Sequence, residues 1–130
     1  MAEQQAFVAI VDDDPGVCAA TCRLLRAAGF RAAPYSSAES FLGAAEARAA
    51  DCLILDLRLP GMNGLELYAE LQARGAGAPA ILVTADVDPD GSLRTAASDA
   101  GIQAILSKPF EADALLGMVQ TALAQRSPGG

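Results

Sequence analysis

The sequence contains no histidine and no tryptophan. Without histidine the chain cannot build a serine–histidine or cysteine–histidine catalytic pair from its own residues, nor carry a phosphohistidine. Positive charge is also scarce: nine Lys and Arg face sixteen Asp and Glu, for a formal net charge of −7. A chain this acidic, with its basic residues scattered, is a poor match to a phosphate backbone, so no direct nucleic-acid binding by this domain is expected. No apolar run approaches the roughly 18–20 residues needed to cross a bilayer. The first six residues hold Glu3 and two glutamines where a signal peptide would carry a basic patch ahead of an apolar stretch. The expectation is a cytoplasmic location with no membrane partner.

Cysteine is sparse and odd in number: Cys18, Cys22 and Cys52. Cys18 and Cys22 are four apart and would share a helix face, the spacing of two metal ligands. With no histidine and a single further cysteine in a strand-like run, a closed zinc site does not follow. Small buried hydrophobes in a reducing compartment are the expected reading.

What the chain does have is apolar material, 52% hydrophobic against 19% charged residues, enough for a core. Its 130 residues fit one domain. Apolar runs alternate with segments of helical period from end to end. Residues 7–11 (FVAIV) read as a buried strand that ends in Asp12, Asp13 and Asp14. Asp14-Pro15 reads as a helix start, Asp14 the cap and Pro15 the first helical residue. Val17, Thr21, Leu24, Leu25 and Ala28 form the apolar stripe of that helix, and Gly29 closes it.

Residues 30–35 are a weaker strand, broken by Pro34 and suited to an edge. Ser37 opens a second helix through about Arg48, with Phe41 and Leu42 inward. Residues 52–57 (CLILDL) form a strongly buried strand, followed by Pro60-Gly61 and Asn63-Gly64 turn chemistry. A third helix over 64–74, a strand over 78–84, an aspartate-rich loop over 85–91 and a modest helix over 92–100 come next. A last strand spans 102–107 and a last helix 110–124, with Leu115, Met118, Val119 and Leu123 inward; residues 127–130 (SPGG) are a frayed end or linker stump. Five strand–helix units with short connections predict a doubly wound α/β domain: a five-stranded parallel sheet between two helical layers.

In such a sheet ligands sit outside the carboxyl ends of the strands, where strand order reverses. Asp12 and Asp13 follow the first strand, Asp56 lies on the third, Thr84 ends the fourth and Lys108 follows the fifth. Side chains from four strands therefore converge on one crevice. Three gathered carboxylates repel one another, and a divalent cation removes that repulsion. An all-oxygen site suits a hard ion such as magnesium. Lys108 adds a positive charge and Thr84 a hydroxyl donor, a set suited to placing a phosphoryl group on a carboxylate. Asp14 is read as a helix cap rather than a ligand, and Asp86, Asp88 and Asp90 as a solvated loop rather than a second metal site.

The motifs IVDDDP (10–15), LILDLRLPGMNG (53–64), ILVTA (81–85) and SKPF (107–110) closely resemble response-regulator receiver domains, over about residues 6–125. The resemblance implies a CheY-like, flavodoxin-like three-layer sandwich with strand order 2-1-3-4-5. It implies a receiver domain over 6–125 and a tail over 126–130. By the same resemblance Asp56 is the phosphoacceptor, and Asp12 and Asp13 with the main-chain carbonyl of Arg58 complete a Mg2+ site that Mn2+ can also fill. Thr84 is the switch hydroxyl, Ala85 the small neighbour offering room and an amide, and Lys108 the phosphoryl-binding lysine, joined to Pro109 by a cis bond. A sensor histidine kinase is the implied partner. A homodimer through the face of the fourth helix, fifth strand and fifth helix is allowed, as is a following DNA-binding output domain. One departure stands out: Ile105 occupies the position, three before the lysine, where many receivers carry an aromatic.

Two other functions compete. A hydrolase with an aspartate nucleophile, like haloacid-dehalogenase-type phosphatases, needs a second acid two residues after the nucleophile, where this chain has Arg58. A degenerate receiver used only as a binding scaffold would have lost part of the acid set, which here is complete.

Overall fold

The computed structural model describes residues 5–86, 88–102 and 104–125. The tail read at 126–130 and the first four residues lie outside that range. The elements run β1 (Phe7–Val11), α1 (Pro15–Ala27), β2 (Arg31–Tyr35), α2 (Ala38–Leu42), a 3-10 helix (Ala45–Ala49), β3 (Cys52–Asp56), α3 (Gly64–Ala73), β4 (Ala80–Thr84), α4 (Ser92–Asp99), β5 (Ala104–Ser107) and α5 (Ala112–Gln125). All strand pairs are parallel and the order is β2-β1-β3-β4-β5. Order reverses between β1 and β3, which puts Asp12 and Asp56 at the switch point.

The three central strands are buried at every position, as expected for parallel strands covered on both faces. Their side chains alternate between two cores. Ala9, Val11, Leu53, Leu55 and Leu82 pack with Phe41, Leu67, Tyr68 and Leu71 from α2 and α3. Val8, Ile10, Ile54, Ile81 and Val83 pack with Cys22, Leu25, Leu115 and Val119 from α1 and α5. Each fully buried Leu or Ile is worth roughly 1.5–3 kcal/mol of transfer free energy, so the sheet is a rigid base for whatever its ends carry. β2 is an edge strand containing Pro34, and Pro34 is exposed.

Local signals explain most boundaries. Asp14 caps α1 by accepting from the Gly16 and Val17 amides at 2.9 and 3.3 Å. Asn63 and Glu66 cap α3 reciprocally at 2.8 and 2.9 Å. Gly64 must be glycine, because a Cβ there would lie 2.5 Å from the Asp56 carbonyl oxygen. That close approach seats the start of α3 directly against the end of β3.

Several expected boundaries shift. The second helix does not run to Arg48: α2 ends at Leu42, Gly43 caps it, Ala44 turns extended, and a separate 3-10 turn follows. Glycine costs about 1 kcal/mol inside a helix, and the chain breaks there. The fourth strand begins at Ala80 rather than 78, β5 at Ala104 rather than 102, and α5 at Ala112 rather than 110. The inner face of α1 is Cys18, Thr21, Cys22 and Leu25, whereas Val17 and Leu24 are half-buried and Ala28 is exposed. The cysteines are the small core residues of that face. Among the described residues no helix is long and apolar enough to cross a membrane.

Candidate functional site

Buried polar side chains among the described residues are few: Asp12, Thr21, Asp56 and Thr84. Three of these four lie at the carboxyl edge of the sheet, so this edge is where the fold tolerates polarity. β1 delivers Asp12, only 4% exposed, and β3 ends on Asp56, 6% exposed. Lys108 follows β5, and its amide donates to the Thr84 carbonyl at 2.8 Å, which holds the lysine stem against β4. The Lys108–Pro109 peptide bond is cis.

The lysine Nζ donates to Asp12 Oδ2 at 2.9 Å and to Asp56 Oδ2 at 3.3 Å. The remaining oxygens take backbone donors: Asp12 Oδ1 accepts from the Asp14 amide at 2.9 Å, and Asp56 Oδ1 from the Arg58 amide at 3.2 Å. The exposed Asp13 completes the group, with one carboxylate oxygen from each of Asp12, Asp13 and Asp56 lying within 4.8 Å of one another. Three carboxylates and one ammonium leave a surplus of two negative charges when all are ionised. The surplus bears on Asp56, whose pKa is raised by burial first and by the Asp12 charge second. Lys108 and the Arg58 amide offset only part of this. Lys108 itself is shifted upward: burial opposes its charge, and the pairings with Asp12 and Asp56 together outweigh burial. One lysine thus serves two carboxylates, and the acidic pocket can bind a metal ion. The oxygen-only donor set suits a hard divalent cation.

Asp12, Asp13, Asp56 and Lys108 therefore meet as the sequence suggested. Thr84 reaches the same edge, 2% exposed, but its Oγ1 accepts from the Asp86 amide at 2.9 Å. Thr84, Ala85, Asp86, Ile105 and Lys108 line part of a groove of about 460 Å³ between the β4–α4 loop and β5. Arg58 sits on the pocket rim through its amide.

The acidic loop has a structural task. Asp88 accepts from the Leu93 and Arg94 amides at 2.9 and 3.0 Å, and Asp90 from the Ser92 amide at 3.1 Å, so both cap α4 where Gly91 has no side chain to offer. Sequence reading missed a second role in this loop: Asp86 takes both Nε and Nη2 of Arg58 on one oxygen, at 2.9 and 2.6 Å. Residues 28 apart in sequence give no periodic signal of such a pair.

A family model described as the response regulator receiver domain matches residues 8–120. The chain belongs to this receiver family. Among relatives of the receiver, the response regulator protein TmoT of Ectopseudomonas mendocina is 37% identical over 123 residues, covering 95% of this chain and 55% of that protein. The transcriptional regulatory protein FixJ of Azorhizobium caulinodans is 34% identical over 123 residues, covering 95% and 57%. The receiver thus spans about half the length of these relatives. A response regulator receiver protein from Burkholderia phymatum matches in structure with a TM-score of 0.77 and 38% identity, covering 95% of this chain and 99% of that one. A CheY-like receiver domain protein from Methanospirillum hungatei JF-1 matches with a TM-score of 0.83 at 25% identity, covering 94% and 96%. The receiver is a signalling domain of two-component response regulators, with the α/β fold read from the sequence and the strand order that the family resemblance implied.

Proposed function

We propose that Asp56 is the phosphoacceptor of this receiver and that a sensor histidine kinase is its donor. The observation that carries the reading is the buried Asp56 carboxylate, sharing the Lys108 ammonium with Asp12 while Asp13 stands within reach. An Asp56 oxygen attacks the phosphorus of the partner's phosphohistidine in line, the phosphorus–nitrogen bond breaks, and the histidine nitrogen leaves with the electron pair. The product is an aspartyl acyl phosphate. Lys108 neutralises charge on the carboxylate and then on the phosphoryl oxygens. Thr84 and the Ala85 amide receive a phosphoryl oxygen once the β4–α4 loop moves inward, and water slowly returns Asp56 to its free form.

Asp12, Asp13, Asp56 and the Arg58 carbonyl would hold Mg2+, or Mn2+ in its place, an ion that supplies the divalent charge this pocket lacks. The domain is assigned to residues 6–125, acting in the cytoplasm. Its output is a change of protein contacts at the α4–β5–α5 face, through a homodimer or a following DNA-binding domain, a reading supported by the name of FixJ as a transcriptional regulatory protein. A phosphatase reading lacks support, because Arg58 occupies the position of the second acid and is tied to Asp86. A pure scaffold reading is disfavoured by the intact acid set.

Labelling with acetyl phosphate in the presence of Mg2+ tests the assignment. Wild-type protein is expected to label stoichiometrically, and Asp56→Asn to label not at all. Undiminished labelling of Asp56→Asn would remove Asp56 from the role.

A further inference from the structure

The carboxyl edge carries an interaction that the acid pocket does not itself require. Arg58, on the β3–α3 loop, reaches across to Asp86, on the β4–α4 loop, with two guanidinium donors on one carboxylate oxygen. Each partner is also wired to the pocket through its own backbone. The Arg58 amide donates to Asp56 Oδ1, and the Asp86 amide donates to Thr84 Oγ1. The route from Asp56 to the Thr84 hydroxyl therefore runs through four groups: the Arg58 amide, its guanidinium, the Asp86 carboxylate and the Asp86 amide. We infer that the Arg58–Asp86 ion pair is a positioning pair, which holds the Thr84 hydroxyl oxygen in its resting place and so sets how readily Asp56 is phosphorylated.

This inference rests on the phosphoacceptor reading of Asp56. The constraint is one of position, since a hydroxyl that accepts from an amide still has its own proton to donate. As long as the Asp86 amide occupies Thr84 Oγ1, the hydroxyl oxygen stays committed to the β4–α4 loop, and the Arg58 guanidinium pins that loop to the neighbouring one. For Thr84 to turn toward a phosphoryl oxygen, the loop must shift and the Arg58–Asp86 contact must lengthen or break. If labelling proceeds from a minor, competent conformation, its rate scales with the population of that conformation. Weakening the pair raises the population. The pair is partly open to solvent, with side chains 77% and 31% exposed, so its contribution is modest and screened by salt. Ile105, half-buried in the groove beside Thr84 and Asp86, contributes no polar group, and among the described residues the Arg58–Asp86 pair is the side-chain ion pair joining the two loops.

The test is a double-mutant cycle on the intact chain, read as the initial rate of acetyl phosphate labelling with Mg2+. Arg58→Gln and Asp86→Asn are each expected to raise the rate about two- to fivefold, the range of an exposed ion pair. The double variant is expected to be no faster than the faster single, since both remove one contact. Arg58→Lys, which keeps charge but not the two-pronged contact, should fall between wild type and Arg58→Gln. Raising ionic strength should speed wild type relative to the double variant, a response a purely structural role would not give. Thermal melts confirm that all variants fold. Equal rates across the cycle, or singles whose effects multiply in the double, would overturn the positioning role while leaving Asp56 as acceptor. No labelling of wild-type protein would remove the acceptor reading and this inference with it.

Discussion

The two ends of the parallel sheet are built from the same strands and face opposite demands. At the amino ends Phe7, Cys52 and Ala80 are apolar and buried, 3%, 0% and 6% exposed. At the carboxyl ends Asp12, Asp56 and Thr84 are buried just as deeply, 4%, 6% and 2% exposed. The first end contributes stability through packing alone. The second holds charge where burial penalises it, and offsets the penalty with one lysine and a few backbone amides. The difference teaches where function sits: at the end where stability is given up to hold reactive groups in place.

Substitutions at the two ends should therefore differ in size, and at Asp56 in sign. Leu53→Ala, in the packed half of β3 and 0% exposed, is expected to cost about 2–5 kcal/mol in a denaturant melt. The folded fraction should still label with acetyl phosphate. A loss below about 1 kcal/mol would mean that the base is far less tightly packed than its burial implies.

Lys108→Met should cost less, about 1–3 kcal/mol, because the lysine is partly exposed while the carboxylates it leaves behind are buried. Millimolar Mg2+ should narrow that deficit by replacing the missing charge. A deficit that Mg2+ leaves untouched would separate the lysine from the acid cluster.

Asp56→Asn is expected to stabilise the metal-free protein by about 1 kcal/mol at neutral pH, the low end for replacing a buried charge by a neutral isostere. The sign follows from its raised pKa. A group whose folded pKa exceeds its unfolded one contributes stability that is complete below the unfolded pKa and lost as pH rises through the folded one. As pH falls toward the unfolded value the folded carboxyl takes up its proton and regains that contribution, so the advantage of asparagine should shrink on acidification. Melts by circular dichroism at neutral and acid pH check this. A less stable variant at neutral pH would contradict it.

The smallest effect belongs to the thiols. Burial first, then the Asp12 charge, pushes the Cys18 thiol up to about 11, and burial takes Cys52 to about 12. In native protein near pH 8, alkylation of both should be far slower than in denatured protein. The stabilising preference of native Cys18 for its neutral form is present below its ordinary value of 9.0 and lost as pH rises through about 11. Rapid alkylation of the native protein near pH 8 would show that α1 is loosely packed.

The acid site was legible because each of its members interrupts or terminates an apolar strand. Asp56 in CLILDL and the aspartates after FVAIV cannot be buried there without partners, and Lys108 supplies one. The fold was legible for a related reason, since five apolar runs separated by helical segments leave little choice but a parallel sheet. Other features depended on packing that sequence period does not encode. Cys18 and Cys22 are buried as expected, but the inner face of α1 turns through them and Leu25, leaving Val17 and Leu24 half-buried and Ala28 exposed. Gly43 divides one expected helix into α2 and a 3-10 turn, with Phe41 buried on the first and Ala47 on the second, although an isolated glycine is often tolerated inside a helix. Asp88 reaches five and six residues ahead to cap α4, a contact created by the fold of its loop. The Arg58–Asp86 pair joins two loops, and the Asp86 amide bonds Thr84 Oγ1, contacts that no motif encodes.

Borohydride trapping after exposure to acetyl phosphate and Mg2+, followed by peptide mass spectrometry, addresses the central claim most directly, because it reports which carboxylate became an acyl phosphate. Reduction confined to the peptide at Asp56, absent when Mg2+ is chelated, is the predicted result. Reduction at Asp12 or Asp13 instead, or labelling indifferent to chelation, would contradict it.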